Sequence, residues 1–392
     1  MKKIYIIILI FICLNLTGCY DYKELNTLAI VTATEINIKD DEYIVTAQVI
    51  NPQTPDKTTN PQAPFIIYSG TGKTLQEAYR NIILESSRFL YSNHLQLLII
   101  NEKIAQKDIS QIIDLFLRNP AIRSEFYIMI GQNDDILDII TPIDDVSSIS
   151  IKESIEINSK FQGVINKITF NEFTSNLLNP NLEVTIPSIK LLNDSKEGEE
   201  TENTKKTKIE SIYELAGLAV FKKNKLTGYL TNEESLSYNI INNNIDNTIL
   251  NCACEDDPKK YLTIEVIKNE SNITFDKKNK SFSISINISG NLNESHCSLS
   301  VKNDKDIKKI NKMYEKYITE RLTTDINNIK NKYNSDIFGF LDIIYKNDYS
   351  YYQKIKNTWE DETFKNTKIS INTKVNIAEK GNSLEVTNEK NK

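Results

Sequence analysis

TLQEAYRNIILESSRFL (residues 74–90), followed by LQLLII (residues 95–100), decides the fold class. In the first stretch Leu75, Ala78, Tyr79, Ile82, Ile83, Phe89 and Leu90 recur at helical spacing. Thr74 with Glu77 makes a capping-box pattern. The threonine hydroxyl accepts from the third helical N–H, and the glutamate reaches back to the cap. The second stretch is short and continuously apolar, the pattern of a buried strand. A capped helix that feeds a buried strand predicts mixed sheets packed with helices.

Upstream, residues 28–38 and 43–50 read as a β-hairpin turning on Lys39-Asp40-Asp41-Glu42. Residues 51–64 carry Pro52, Pro55, Pro61 and Pro64 and read as a surface loop. Residues 65–69 form a short strand. Gly70-Thr71-Gly72-Lys73-Thr74 reads as the turn into the helix, since it lacks the G-x-x-x-x-G-K-[ST] spacing of a phosphate loop. Downstream, Asp108 and Gln111 open a helix that stops at Asn119-Pro120. A strand at 126–130, helices at 134–140, 148–161 and 169–178, and a strand at 182–189 follow.

Residues 193–208 (NDSKEGEETENTKKTK) contain no aliphatic side chain and read as a linker. Beyond them come a hairpin at 212–221 and 226–230 and a helix capped by Thr231 and Glu234. Strands follow at 249–253, 260–268, 271–276, 281–289 and 295–301. A long helix spans 304–332, with the stripe Ile307, Ile310, Tyr314, Tyr317, Ile318, Leu322, Ile326 and Ile329. Helices at 336–346 and 349–359 precede a strictly alternating strand at 369–377. The expectation is an α+β (mixed) fold of two or three domains. These are an N-terminal mixed α/β domain at 19–192, the linker at 193–208 and an α+β domain at 209–380, open to further division. A polar tail occupies 381–392.

The first 18 residues read differently. Lys2 and Lys3 precede an apolar run at 4–14, too short to span a bilayer but suited to a signal peptide. It ends in Leu16-Thr17-Gly18-Cys19, the pattern of a bacterial lipobox. Cleavage before Cys19 and acylation of its thiol would give stable anchoring, because two acyl chains hold where one is marginal. The charge is −6, from 47 Lys+Arg and 53 Asp+Glu, and loss of Lys2 and Lys3 makes it 45 − 53 = −8. A broad nucleic-acid-binding face is usually basic, so that balance argues against one, and it leaves lipid to hold the body at a membrane.

Catalytic chemistry finds little support. The chain has two histidines and no G-x-S-x-G. His94 directly precedes a buried strand, a structural position, and the paired aspartates read as solvated loops. No catalytic or cofactor-binding residue is assigned. Cys252, Cys254, His296 and Cys297 are metal-ligand types, but adjacent strand residues point to opposite faces, and C-x-C is not the usual zinc spacing. No metal site is assigned. The cysteines read as small, partly buried strand residues, with a disulfide, for example from Cys252 or Cys254 to Cys297, as the alternative outside the cytoplasm. Arg118 and Arg123 flank a helix end; they complement its dipole or contact a partner.

Several segments together resemble a family. CYDYKEL (19–25) is similar to the C-W-D-x-x-E-L opening of the Ger(x)C spore germination lipoproteins, with Tyr20 in place of tryptophan. NHLQ (93–96) and DLFLRNPAIR (114–123) resemble further family stretches. So do GLAVF (217–221), KLTGYL (225–230), EES (233–235), DIFGF (336–340) and Trp359, in that order. The resemblance implies the C subunit of a nutrient germinant receptor, lipid-anchored through Cys19 on the outer face of the spore inner membrane. It implies as partners a multi-spanning A-type subunit and a permease-like B-type subunit. The competing expectation is a stand-alone, solute-binding type of lipoprotein, with a deep cleft between domains.

Overall fold

The structure, a computed structural model, describes residues 27–51, 63–120, 122–139, 147–192, 206–207, 213–299 and 304–379, with Ile4 and Glu24 besides. The lipobox, most of the linker and the polar tail lie outside them. Cys19 therefore has no described position.

The expected hairpin is β1 (Leu28–Lys39) and β2 (Glu42–Ile50), paired antiparallel, with Asp40 and Asp41 at positive φ in the turn. β3 (Phe65–Gly72) adds to β2. It runs through Gly70 and Gly72, where the sequence suggests a turn. A side chain at Gly70 would collide with the backbone of the next helix, so glycine is what lets helix and strand touch. That helix, α1 (Leu75–Asn81), is shorter than the expected 74–90 and ends in a 3₁₀ turn, Ile82–Leu84. The Thr74 hydroxyl accepts from the Glu77 N–H, while the Glu77 carboxylate accepts from the Lys73 N–H. Phe89 and Leu90 instead enter β4 (Phe89–Tyr91), which lies parallel to the start of β1.

The centre of the sheet is parallel. β5 (Leu97–Asn101) pairs with β1, β6 (Tyr127–Gly131) with β5, and β7 (Thr185–Leu191) with β6. The connecting helices are α2 (Glu102–Lys107), α3 (Ser110–Arg118), α4 (Ile136–Ile139), α5 (Ser147–Phe161) and α6 (Phe170–Leu177). One apolar layer lies around Val31, Leu98, Ile128, Phe116, Phe126 and Phe170, the other around Leu97, Met129, Ile151 and Ile155. Glu35 is buried in β1 because it works as a cap. Its carboxylate accepts from the N–H groups of Ile136 (3.0 Å) and Leu137 (2.7 Å) at the start of α4.

Beyond the linker, β8 (Tyr213–Lys222) pairs antiparallel with β7, and β9 (Lys225–Tyr229) with β8. The hairpin that opens the second half thus completes the first half's sheet. Its nine strands run β3-β2-β1-β5-β6-β7-β8-β9, with β4 beside β1. After α7 (Asn232–Ile241) comes a four-stranded sheet of β10 (Thr248–Ala253), β11 (Tyr261–Asp276), β12 (Ser281–Ser295) and β13 (Ile369–Glu379). The two strands expected at 260–276 are one bulged strand, since a register shift between Val266 and Lys268 absorbs the break in alternation. Residues 296–299 form no strand.

Helix α8 (Asp304–Tyr333) covers this sheet with Ile310, Tyr314, Ile318, Leu322, Ile326 and Ile329. The Tyr314 hydroxyl, buried in the contact, donates toward the carbonyls of Leu250 (3.1 Å) and Leu262 (2.7 Å). Helices α9 (Phe340–Asn347) and α10 (Tyr349–Ile355) close the layer. Cys254 and Cys297 form a disulfide, so of the alternatives open in the sequence the bridged one holds for this pair. Cys252 stays a buried thiol, pushed up to about 11 by burial and then by Glu255. The atoms of Cys254, Asp256 and Cys297 cluster, but the two sulfurs are bonded to each other rather than offered as thiolates.

Candidate functional site

The second-half segments that carry the resemblance meet at one place, the joint between the two sheets. Strand β8 supplies GLAVF. Gly217 has φ +77°, and a Cβ there would lie 2.6 Å from the Leu230 carbonyl oxygen. Glycine lets the end of KLTGYL pack against β8, where the Leu230 N–H donates to the Leu218 carbonyl (2.8 Å). Thr231 and Glu234 form a full capping box on α7. The Ser235 hydroxyl accepts from the Leu218 N–H (3.1 Å), tying EES to GLAVF.

DIFGF then joins from the other side. After α8, the Ser335 hydroxyl donates to the Phe221 carbonyl (2.7 Å), and the Tyr333 hydroxyl to the Tyr229 carbonyl. Asp336 is 4% exposed. Its carboxylate accepts from the N–H groups of Phe340 (3.1 Å) and Leu341 (2.8 Å), at the start of α9, and from the Trp359 indole N–H (3.1 Å). Burial pushes Asp336 up to about 6, against the opposing pull of these donors. Trp359, the single tryptophan, is 2% exposed. Its ring begins an aromatic row through Phe364, Phe340 and Phe338 to Tyr238 on α7.

Charged groups outside these segments complete the joint. Lys330 is buried, and its ammonium donates to the Thr367 carbonyl (2.8 Å). Burial lowers its pKa, with Asp336 opposing. The N–H of Glu183 reaches the Asp336 carbonyl at 3.4 Å. The Glu183 carboxylate accepts from the Lys223 N–H (2.6 Å), and burial, then Glu360, pushes it up to about 7 despite that bond. Lys222 and Lys223 stand 3.5 and 3.6 Å from the Glu360 carboxylate. Glu183, Lys330 and Glu360 sit in ordinary polar sequence, and no local signal singles them out.

The first-half candidates lie elsewhere. Arg118 ends α3, and its Nε donates to both oxygens of Asp114 (2.7 and 2.8 Å), one turn back. It borders a surface groove with Leu75, Gln111, Asn119 and Pro120. Arg123 is exposed. The structure does not bring either arginine to the joint. Gln96 accepts from Lys152 (2.8 Å), and with His94, Glu153 and Glu156 these residues line an open cleft of about 470 Å³.

The fold and the joint define a two-part α+β protein whose halves share a sheet and are locked by buried polar contacts. Residues 21–191 match the family model described as the spore germination protein N-terminal domain, and residues 216–381 that described as spore germination B3/GerAC like, C-terminal. The chain belongs to this spore germination family. It is 26% identical to spore germination protein KC of Bacillus subtilis (strain 168) over 379 residues, covering 93% of each chain. It is 22% identical to spore germination protein B3 of the same organism, over 92% of this chain and 93% of that one. The crystal structure of the GerBC protein has the same fold, with a TM-score of 0.54 at 18% identity, covering 91% of this chain and all of that one.

Proposed function

We propose that the chain is the lipid-anchored C subunit of a nutrient germinant receptor, and that it acts by assembly and coupling without catalysing a reaction. The observation that carries this reading is the match of both halves, in order, to the spore germination models. The lipobox ending at Cys19 supports anchoring through two acyl chains, on the outer face of the spore inner membrane. The partners are then the A-type multi-spanning and B-type permease-like subunits. Anchoring raises the body's effective concentration beside them. Among the described residues no helix is long and apolar enough to cross a membrane.

The joint supports coupling. A load on either half reaches the other through β7 and β8, through Glu183, which bonds Asp336 and Lys223, and through Asn181, which accepts from the Tyr352 hydroxyl. Arg118 and Arg123 remain our candidate partner contacts. Spores carrying Cys19→Ala are expected to lose most of their response to at least one nutrient while the body stays folded. Measured as the optical-density drop after nutrient addition, a normal response to every nutrient would overturn the reading.

A further inference from the structure

The nine-stranded sheet ends in β3 on one side and β9 on the other, and the four-stranded sheet ends in β10 and β13. An edge strand leaves part of its backbone N–H and C=O groups unpaired, and proteins blunt such edges with charge, shortness or capping groups. Three of the four are blunted. β9 is five residues long and begins at exposed Lys225. β10 is six residues long, with the disulfide just beyond its end. β13 carries exposed Lys374, and its Val375 N–H donates to the Glu315 carboxylate (3.3 Å). β3 differs. Its eight residues, FIIYSGTG, carry no charge and no proline, and they pair with β2 without a bulge. Beyond that ladder, the described hydrogen bonds of β3 are one from the Asn81 side chain to the Thr71 carbonyl (2.8 Å) and one between the Ser69 and Thr46 hydroxyls (3.0 Å).

An apolar shelf lies beside this edge. α1 runs back along β3, since a Cβ at Gly72 would lie 2.5 Å from the Ala78 nitrogen and one at Gly70 would lie 2.7 Å from the Ile82 nitrogen. The next turn therefore arrives beside Tyr68 and Ile66, which share the Gly70 face. There Ile66 is 37% exposed, Ile83 42% and Leu84 85%. The shelf stops at exposed Glu85, and a polar rim beyond an apolar strip is ordinary interface anatomy. A strand added to β3 is held by main-chain hydrogen bonds and covers the shelf with the side chains of one face. Such a strand must be extended, uncharged and apolar, and β3 itself meets that description. We propose that β3 pairs antiparallel with β3 of a second copy, about a two-fold axis through Ile67 and perpendicular to the sheet. Like faces then meet: Ile66 stands opposite the partner's Tyr68, Phe65 opposite the partner's Ser69, and Ile67 opposite its own counterpart. Both shelves fall on the same side of the joined sheet. Pairing β3 with itself closes as a dimer, whereas β3 on any other edge leaves a second β3 free to propagate a filament. The interface is small, so the dimer is expected to be concentration-dependent.

The test uses the full chain, purified from membranes in detergent. Residues directly opposite across an antiparallel pair have Cα atoms about 4.5–5.5 Å apart, within reach of a disulfide. Under a mild oxidant, dimer formation by Ile67→Cys is expected to outpace that by Asp40→Cys, in the exposed β1–β2 turn, by about tenfold, as a held pair outpaces collision. Adding Leu84→Glu, a change at a side chain outside the core, is expected to remove that advantage. Equal rates at 67 and 40 overturn the proposal. So does a dimer that Leu84→Glu leaves unchanged, since it is held elsewhere. Sedimentation equilibrium of the chain with its native Ile67 reads the same contact without the cysteine: a mass that stays monomeric at every concentration overturns the dimer. If position 67 cross-links to a co-expressed receptor subunit and not to a second copy, the edge takes a different protein and the proposal is wrong.

Discussion

Asp336 concentrates the residue-scale physics of the joint. Its carboxylate satisfies two backbone donors and an indole N–H, all on buried residues. Truncation orphans all three. Asp336→Ala is expected to destabilise the protein by about 3 kcal/mol, the cost of leaving buried donors unsatisfied. Trp359→Phe keeps a ring and removes one donor, so its cost is about 1 kcal/mol. Urea unfolding measures both, followed for Asp336→Ala by the fluorescence of Trp359 and for Trp359→Phe by circular dichroism. Glu183 adds a pH dependence. Its folded pKa of about 7 lies above the ordinary 4.5, so the folded state holds the proton more tightly. The stability this confers is complete below about pH 4.5 and is lost as pH rises through 7. Asp336 acts in the same direction between 3.8 and about 6. Glu183→Gln is therefore expected to flatten the fall between pH 5 and 7.5 by about 1–3 kcal/mol relative to wild type. Parallel curves for the two proteins would refute this.

Among the elements, the four-stranded sheet has a covalent clamp. Cys254 follows β10 and Cys297 follows β12, the two strands that flank β11, and the residues are 43 apart in sequence. Closing a loop of that length restricts the unfolded chain. Replacing both cysteines by serine is expected to cost about 2–4 kcal/mol. Thermal melts with and without reductant check it: wild type should fall to the level of the double variant, which itself should not respond. Cys252 is buried beside α8, and burial holds its thiol in the protonated form, so it does not take over the bridge.

For the whole molecule, the decisive feature is a sheet that crosses the linker. β8 finds its partner in β7, on the other side of residues 193–208. A fragment of residues 209–380 would expose the β8 edge and the apolar surface beneath it, a template for aggregation. Such a fragment is expected to be aggregated on size exclusion, whereas the intact body unfolds in one transition by fluorescence and circular dichroism. A monomeric, cooperatively folded fragment would show that the joint contributes little. This continuity also bears on coupling, since β7 and β8 are hydrogen-bonded directly to each other.

Local pattern was enough for much of this protein. Alternation, capping residues and turn chemistry place the first hairpin, α7, the long α8 and β13 within a few residues, because each is set by neighbours in the chain. The ordered segments from Cys19 to Trp359 are enough to place the family. What sequence reading misjudged depends on distant partners. The helix starting at Leu75 stops early because Phe89 and Leu90 are drawn into a strand beside β1. The Gly70 stretch is strand because a helix lies against it. Only the tertiary structure brings Ser335, Asp336 and Trp359 to Phe221, selects Cys254 as the partner of Cys297, and assigns β8 to the first sheet. Burial of a carboxylate, a shared strand edge and the approach of two sulfurs are properties of space, and residues far apart in the chain acquire them only when it folds.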